Sequence, residues 1–360
     1  MFFEIKDEIK DILAINPGST STKIAVFRKG RALFETNVFH DVDVISGFEN
    51  IGDQEKYREK FILEELQSRE YDMSQLSAVV GRGGMLIGLE AGGYFVTPKL
   101  CDGMRDPKLP QHASSLGALI AYGIGKELGI PAFIYDSPMG CEILEVAKVT
   151  GMAGVEKYGC CHVLNSRAQA MRYAESVGKK YEDLNLIVCH MGGGITVNAQ
   201  KDGRIIDTAA YDDGPMAPER SGGVPLLLFK DLIFTGMYSE KDVAEVISGK
   251  GGLYSYLGTK DCLEIEERII AGDEYAAKIY EAMAYQIAKA IAGLSVPLKG
   301  KVDAVILTGG IARSKMLNDM IEAYAGHIGN FVVMAGEKEM EALAEGAARM
   351  LQGKEEAKEY

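Results

Sequence analysis

Apolar runs of strand length, each ended by a polar turn containing glycine, occur twice in this chain in the same arrangement. Residues 12–15 and 24–27 flank a turn made of Asn16, Pro17, Gly18, Ser19, Thr20, Ser21, Thr22 and Lys23, a pattern that predicts a β-hairpin with a wide loop. The theme returns at residues 186–197, where a buried strand meets Gly192, Gly193 and Gly194 and a β-branched strand follows. Around these hairpins the pattern predicts strands at 32–39, 78–80, 130–136, 302–308 and 331–334. Residues 53–68 carry Tyr57, Phe61, Ile62, Glu65 and Leu66 at helical spacing. Further helices are expected over 113–128, 163–177 and 229–248, as one or two segments over 264–292, from about 314, and from within 336–346.

Length and charge narrow the picture. A chain of 360 residues is too long for one ordinary core, which predicts two domains. With 47% apolar and 25% charged residues it has the balance of a globular protein. A net charge of −13 argues against a nucleic-acid partner and against an anionic membrane face. Residues 1–10 contain no signal-peptide core, and no apolar run reaches membrane-spanning length. The six cysteines are scattered without C-x-x-C spacing, and Cys160 and Cys161 are adjacent, which predicts reduced thiols and a cytoplasmic location. Residues 354–360 form a charged tail.

In so acidic a chain an anionic substrate must be held by a few local positive groups, so arginines in Gly-rich contexts stand out. Arg82 lies between Gly81 and the pair Gly83-Gly84, and Arg220 lies just before Gly222-Gly223. Glycines leave backbone room for a ligand to approach a guanidinium; a surface turn accounts for the same residues. The hydroxyl-rich loop 16–23, with Lys23, has the groups to wrap a phosphate, and an ordinary hairpin turn has the same composition. It has neither Walker A spacing nor the helix that follows a Rossmann fingerprint. Three consecutive glycines, Gly192 to Gly194, exceed the needs of a turn and fit close approach of a phosphate. Asp136 ends a strand, where metal and substrate ligands sit in open α/β sheets. His112 precedes a helix, where it serves either as a donor to an anion or as a cap.

Asn16, Gly18, Ser19, Ser21 and Lys23 resemble the Asn-x-Gly-Ser-x-Ser-x-Lys opening of the acetokinase family, within the acetate and sugar kinase, chaperone and actin superfamily. Further matches follow in family order: Arg82 in a Gly-x-Arg segment, Tyr135-Asp136-Ser137, Tyr158-Gly159-Cys160-Cys161-His162, His190 with Gly192 to Gly194, Arg220 (with Glu219 where the family has Thr), Thr308-Gly309-Gly310-Ile311, and Glu339. The resemblance implies two duplicated actin-like, ribonuclease H-like α/β domains with mixed five-stranded sheets flanked by helices, and an active site in the interdomain cleft. The expected domains are 1–157 plus 345–360 on the carboxylate side and 158–344 on the nucleotide side.

The activity implied is ATP-dependent phosphorylation of a carboxylate to an acyl phosphate by direct in-line transfer. In that reading Arg82 and Arg220 hold the carboxylate and the transferring group, and His162 bonds the phosphoryl oxygens. Asp136 and Glu339 attend Mg2+, with Glu337 and Glu341 crowding the same turn. Asn16, Ser19, Ser21, Lys23, His190, Gly192, Gly193 and Gly194 border the phosphates. Gly309, Gly310 and Ile311 lie under the adenosine, although the Glu that follows this turn in the family is missing. Gly84 and Cys161 stand where acetate kinases have Val and Phe, which predicts added room in the acid pocket, with His112 nearby. The runs 110–114 and 339–344 are similar to butyrate kinases, so butyrate, with isobutyrate close behind, is the expected substrate. A homo-oligomer built from dimers, with an interface among the helices between 229 and 292, completes the expectation. A sugar kinase would need a general base for a neutral hydroxyl, and a nucleotide-switch protein would not need the two arginines.

Overall fold

The computed structural model describes residues 9–110 and 112–360. Most of the N-terminal stretch read for a signal sequence, and Gln111 of the 110–114 run, therefore lie outside the described residues. The chain forms two compact units, residues 1–140 with 338–360, and residues 141–337.

Unit 1 is built on a six-stranded mixed sheet in the order β3-β2-β1-β4-β6-β5. Its strands are β1 Asp11–Pro17, β2 Ser21–Arg28, β3 Arg31–Phe39, β4 Leu76–Arg82, β5 Gly93–Phe95 and β6 Ala132–Tyr135. β1, β2 and β3 form an antiparallel meander, whereas β1, β4 and β6 run parallel. Alternation sends Leu13 and Ile15 to one face, where they pack with Leu116 and Leu119 of the helix Leu116–Leu128 and with Ile62 and Leu66 of the helix Glu55–Ser68. The last helix, Glu339–Leu351, packs on the opposite face, where Ile12 and Phe27 line a cavity with Ala344 and Ala348.

Unit 2 repeats the plan with five strands in the order β11-β10-β7-β8-β9: β7 Leu186–Met191, β8 Ile195–Lys201, β9 Arg204–Ala209, β10 Ala304–Gly309 and β11 Phe331–Ala335. β7 to β9 form the meander and β7, β10 and β11 run parallel. Ile187, Cys189 and Met191 face Tyr280, Met283 and Ile287 of the helix Glu274–Leu294, while Leu186 and Val188 face Ala170 and Ala174 of the helix Val163–Ser176.

The duplicated α/β architecture agrees with the pattern, with corrections at its edges. Unit 1 has six strands, not five, because β5 pairs antiparallel with the outer side of β6. The charged tail is docked: Phe95 N donates to Lys358 O (2.9 Å) and Lys358 N to Gly93 O (2.9 Å). The predicted helix over 229–248 is two helices, Leu226–Phe234 and Glu240–Ile247, separated at Gly236, whose φ is +72°. The division falls after Gly140 rather than at 157, since Leu144 N donates to Ile206 O (2.9 Å) and Lys157 pairs with Asp213 (2.9 Å), both in unit 2. The return falls at 338 rather than 345, because the helix Glu339–Leu351 belongs to unit 1 from its first turn. Among the described residues no helix is long and apolar enough to cross a membrane.

One crossing fixes the end of β4. An ideal Cβ on Gly81 would lie 2.0 Å from the carbonyl oxygen of Gly117, and one on Gly117 would lie 2.5 Å from that of Arg82. Helix and strand thus touch backbone to backbone. Ala is normally favoured over Gly within a helix by about 1 kcal/mol. Gly117→Ala is instead expected to destabilise the protein by about 2 kcal/mol through overpacking, read as a lowered thermal midpoint; a raised midpoint contradicts this packing.

Candidate active site

The parallel strands β1, β4 and β6 bring Asn16, Arg82 and Asp136 to one edge of the unit 1 sheet, with Ile15 in register with Gly81 and Arg82 with Tyr135. The C-terminal ends of parallel strands are where ligands sit in open α/β sheets. Glu339, the first residue of the last helix, joins them: its Oε2 accepts from Asn16 Nδ2 (2.7 Å) and from Arg82 Nη1 (3.2 Å). A carboxylate at a helix N-terminus is favoured by the helix dipole. Of the three glutamates crowding that turn, Glu339 is the one that meets Asn16 and Arg82. Glu341 lines a separate cavity of about 420 Å³ with Lys10 and Lys29, and Glu337 lies against His190 in unit 2.

Arg82 engages this cluster through Nη1, while its Nε is buried without a partner. The glycines beside it serve packing rather than ligand access. A Cβ on Gly83 would lie 2.7 Å from Ser137 Cβ, and one on Gly84 would lie 2.5 Å from Ser115 Oγ and 2.6 Å from Met104 Sδ. The room expected at Gly84 for a longer acid is therefore filled by the chain itself. Asp136, at φ +45°, accepts from Gly92 N (2.8 Å) through Oδ1. His112 caps its own turn, accepting from Ser114 N (3.2 Å) and lying 2.8 Å from Ser114 Oγ.

Glu339 and Asp136 offer hard oxygen donors at the same sheet edge, and Glu339 keeps Oε1 outside both of its hydrogen bonds. Among the described residues no three His, Cys, Asp or Glu side chains gather as a direct metal cage. That donor set fits Mg2+, which is held by one or two carboxylates, waters and substrate phosphates.

The loop 16–23 rests on a residue absent from the sequence-based candidates. Arg58 is fully buried and donates Nη1 to Gly18 O (2.7 Å) and Nη2 to Ser19 O (2.8 Å). Gln54 Oε1 takes its Nε and Nη2, at 3.0 and 2.8 Å. Burial lowers the Arg58 guanidinium to about 10. His40 lies beside it, its Nε2 2.8 Å from Thr22 Oγ1, and burial followed by the Arg58 charge lowers its pKa to about 4. The signal was present in the sequence: Gln54, Arg58, Ile62 and Leu66 recur every fourth residue along the buried face of the helix Glu55–Ser68 and its N-cap. Lys23 stands opposite Asn16 in the β1–β2 register and pairs with Glu35 (3.4 Å). That pair is half-exposed and weak, so it leaves the ammonium available to an anion. Ser19 is exposed and Ser21 partly so.

In unit 2 the imidazoles of His162 and His190 stack with ring centres 3.8 Å apart and planes 11° apart. His162 Nδ1 lies 2.9 Å from Thr196 Oγ1. His190 Nδ1 faces the Asn165 amide at 2.8 Å, and its Nε2 faces Glu337 Oε1 at 3.3 Å. With Nδ1 accepting from Asn165, a neutral His190 carries its proton on Nε2, toward Glu337. Asn165 and Thr196 were not among the sequence candidates, because single polar residues on a helix or a strand carry no spacing signal; Glu337, expected near a metal, lies instead against His190.

The triple glycine makes room for neighbouring side chains as well as for any ligand. A Cβ on Gly194 would lie 2.3 Å from Arg220 Cζ, and one on Gly193 would lie 3.0 Å from Glu219 Oε1. Gly192 lies beside His190 and Glu337. Arg220 covers the Tyr211 ring at 5.1 Å and, like Arg82, has a buried Nε without a partner. Gly309, at φ +88°, is required by contact with Met191 O (2.3 Å from an ideal Cβ), whereas Gly310 faces open space and Ile311 begins the turn Ile311–Arg313. Cys161 is buried, with its Sγ 3.6 Å from Cys141 Sγ and 3.7 Å from Asn198 Nδ2.

His40 gives a pH test of the loop. Between pH 6.5 and 4 the unfolded chain binds a proton at His40 that the folded chain does not, so stability falls as pH falls through that window. The contribution is about 1.4 kcal/mol per pH unit. Urea unfolding at pH 7 and pH 5 is expected to show a steeper loss for the wild type than for His40→Gln, and identical losses contradict the assignment.

The acetokinase family profile matches residues 144–345, more than half of the chain. Acetate kinase from Porphyromonas gingivalis superposes with a TM-score of 0.77 at 19% identity, over 94% of this chain and 99% of that one. A propionate kinase from Francisella tularensis gives 0.75 at 17% identity, over 94% and 98%. Acetate kinase from Entamoeba histolytica gives 0.77 at 15% identity, over 94% and 99%. At these identities the superpositions speak for a shared fold, an actin-like pair of domains. With the profile match they place this chain in the acetokinase family of carboxylate kinases.

Proposed function

We propose that this protein transfers the γ-phosphoryl group of ATP to a short-chain carboxylate, with butyrate or isobutyrate preferred. One observation carries the chemistry: Arg82 and Arg220 each keep a buried Nε without a partner. A buried guanidinium nitrogen left unpaired is costly, and an oxyanion relieves that cost. An aliphatic acid, like a Glu side chain with a pKa of about 4.3, is ionised at pH 7. Its oxygen attacks the γ-phosphorus, the bond to the β-phosphate oxygen breaks, and ADP leaves with the electron pair. No proton moves and no general base is needed.

Positioning and charge neutralisation remain as the work of the protein. Arg82 and Arg220 receive the carboxylate and the equatorial phosphoryl oxygens, and His162 donates to the same group. Asn16, Ser19, Ser21 and Lys23, with His190 and Gly192 to Gly194, border the phosphates, and Gly309, Gly310 and Ile311 the nucleoside. Glu339 and Asp136 attend Mg2+, which supplies charge neutralisation on the phosphate oxygens when bound. Butyrate is supported by the similarity of the 110–114 and 339–344 runs to butyrate kinases. Acetate or propionate is the second reading, favoured by the filled space at Gly84. A homo-oligomer built from dimers accompanies this reading, supported by the helix Leu226–Phe234, which has no buried residue and leaves Leu226 81% and Phe234 83% exposed. Six cysteines scattered without C-x-x-C spacing support a cytoplasmic setting.

Acyl phosphate trapped as hydroxamate, with Mg-ATP and acids from acetate to hexanoate plus isobutyrate, tests the reading. A maximum at four carbons is expected, and Arg82→Ala or Arg220→Ala should lower kcat by roughly a hundredfold or more, the scale of losing one preorganised donor. A maximum at acetate or propionate selects the second reading. Product with no acid tested, or full activity in both variants, overturns the carboxylate assignment.

A further inference from the structure

We propose that Arg58 is a positioning residue for the phosphate loop: it holds the loop carbonyls inward, turns the Ser19 and Thr20 N–H groups outward, and lends its charge through the loop to a bound nucleotide phosphate. The inference rests on the reading that loop 16–23 borders the phosphates.

Four consecutive carbonyls are tied down. Gly18 O and Ser19 O accept from Arg58 at 2.7 and 2.8 Å, and Ser21 O from the same guanidinium at 3.3 Å. Thr20 O accepts from His40 N at 3.0 Å, and Ser21 O also takes Gly18 N at 2.7 Å. Among the described residues the N–H groups of Ser19 and Thr20 have no acceptor, and both residues are exposed. A turn whose carbonyls all face one way presents its amides the other way, which is the arrangement of an anion-binding nest.

Charge points in the same direction. Every acceptor of Arg58 is neutral: backbone carbonyls, the Thr22 hydroxyl at 3.4 Å and Gln54 Oε1. A fully buried cation with no carboxylate beside it is costly. An anion on the outer face of the loop, one peptide layer away, offsets that cost without touching the guanidinium. Gln54 fixes the plane of the fork by taking both Nε and Nη2, so the donors directed at the loop cannot rotate away.

The test compares wild type with Arg58→Lys, which keeps the charge but loses the fork, and Arg58→Met, which loses both. In folded variants KM for Mg-ATP is expected to rise, about tenfold for Arg58→Met and less for Arg58→Lys, the order for a unit charge acting on a polyanion across a peptide layer. KM for the acid should stay within about twofold. Unchanged nucleotide KM, or equal rises for both substrates, overturns the proposal. Hydrogen exchange on the wild-type protein stands even where the variants fail to fold. Residues 17–22 should exchange fast alone and slow with Mg-ATP, and exchange unaffected by Mg-ATP overturns the proposal. A wild type that phosphorylates no acid fails the carboxylate reading, while the exchange experiment still tests the loop.

Discussion

The contact on which unit 1 depends is the carboxylate of Glu339 bridging Asn16 and Arg82, residues 323 and 257 positions away in the chain. It joins the ends of two parallel strands to the first turn of the last helix. The same arrangement keeps a guanidinium partly unsatisfied. Glu339 holds Nη1 and leaves Nε buried and unpaired, so the guanidinium is oriented by the protein alone. Preorganised donors of this kind cost nothing to align at the moment of reaction, which is where electrostatic catalysis gains most.

Glycine has a different role here from the one its position in the sequence suggested. Around Arg82 the glycines allow a helix and a loop to approach β4, and next to Arg220 they give the guanidinium a place to lie. Arg82 meets Gly117 through its backbone and Glu339 through Nη1, whereas Arg220 lies over the Tyr211 ring and beside Gly194. A site built this way tolerates little added volume, and that explains why small residues in a motif do not by themselves mean an open pocket.

The architecture was legible because it rests on apolar periodicity. The two hairpins β1–β2 and β7–β8 follow from apolar runs ended by Gly-containing turns, and the main helices from their buried stripes. Arg82, Asp136 and Asn16 were legible as strand-end residues, and the structure brings Asn16 and Arg82 together with Glu339. What the sequence hid depends on tertiary contact. Arg58 reads as one charge among many in a helix until Gln54, Ile62 and Leu66 show that its face is buried. The His162–His190 stack joins two segments that only the fold aligns. The short strand β5 was missed because three residues, the first of them Gly93, carry no period of their own.

In the proposed function the protein is a scaffold that positions an ionised acid for direct attack, with no covalent step on its own side chains. ATP made chiral at the γ-phosphoryl with oxygen isotopes tests this most directly. Transfer to the preferred acid should proceed with inversion at phosphorus, as a single in-line displacement requires. Retention would mean two displacements through a phosphorylated side chain, and would contradict the account.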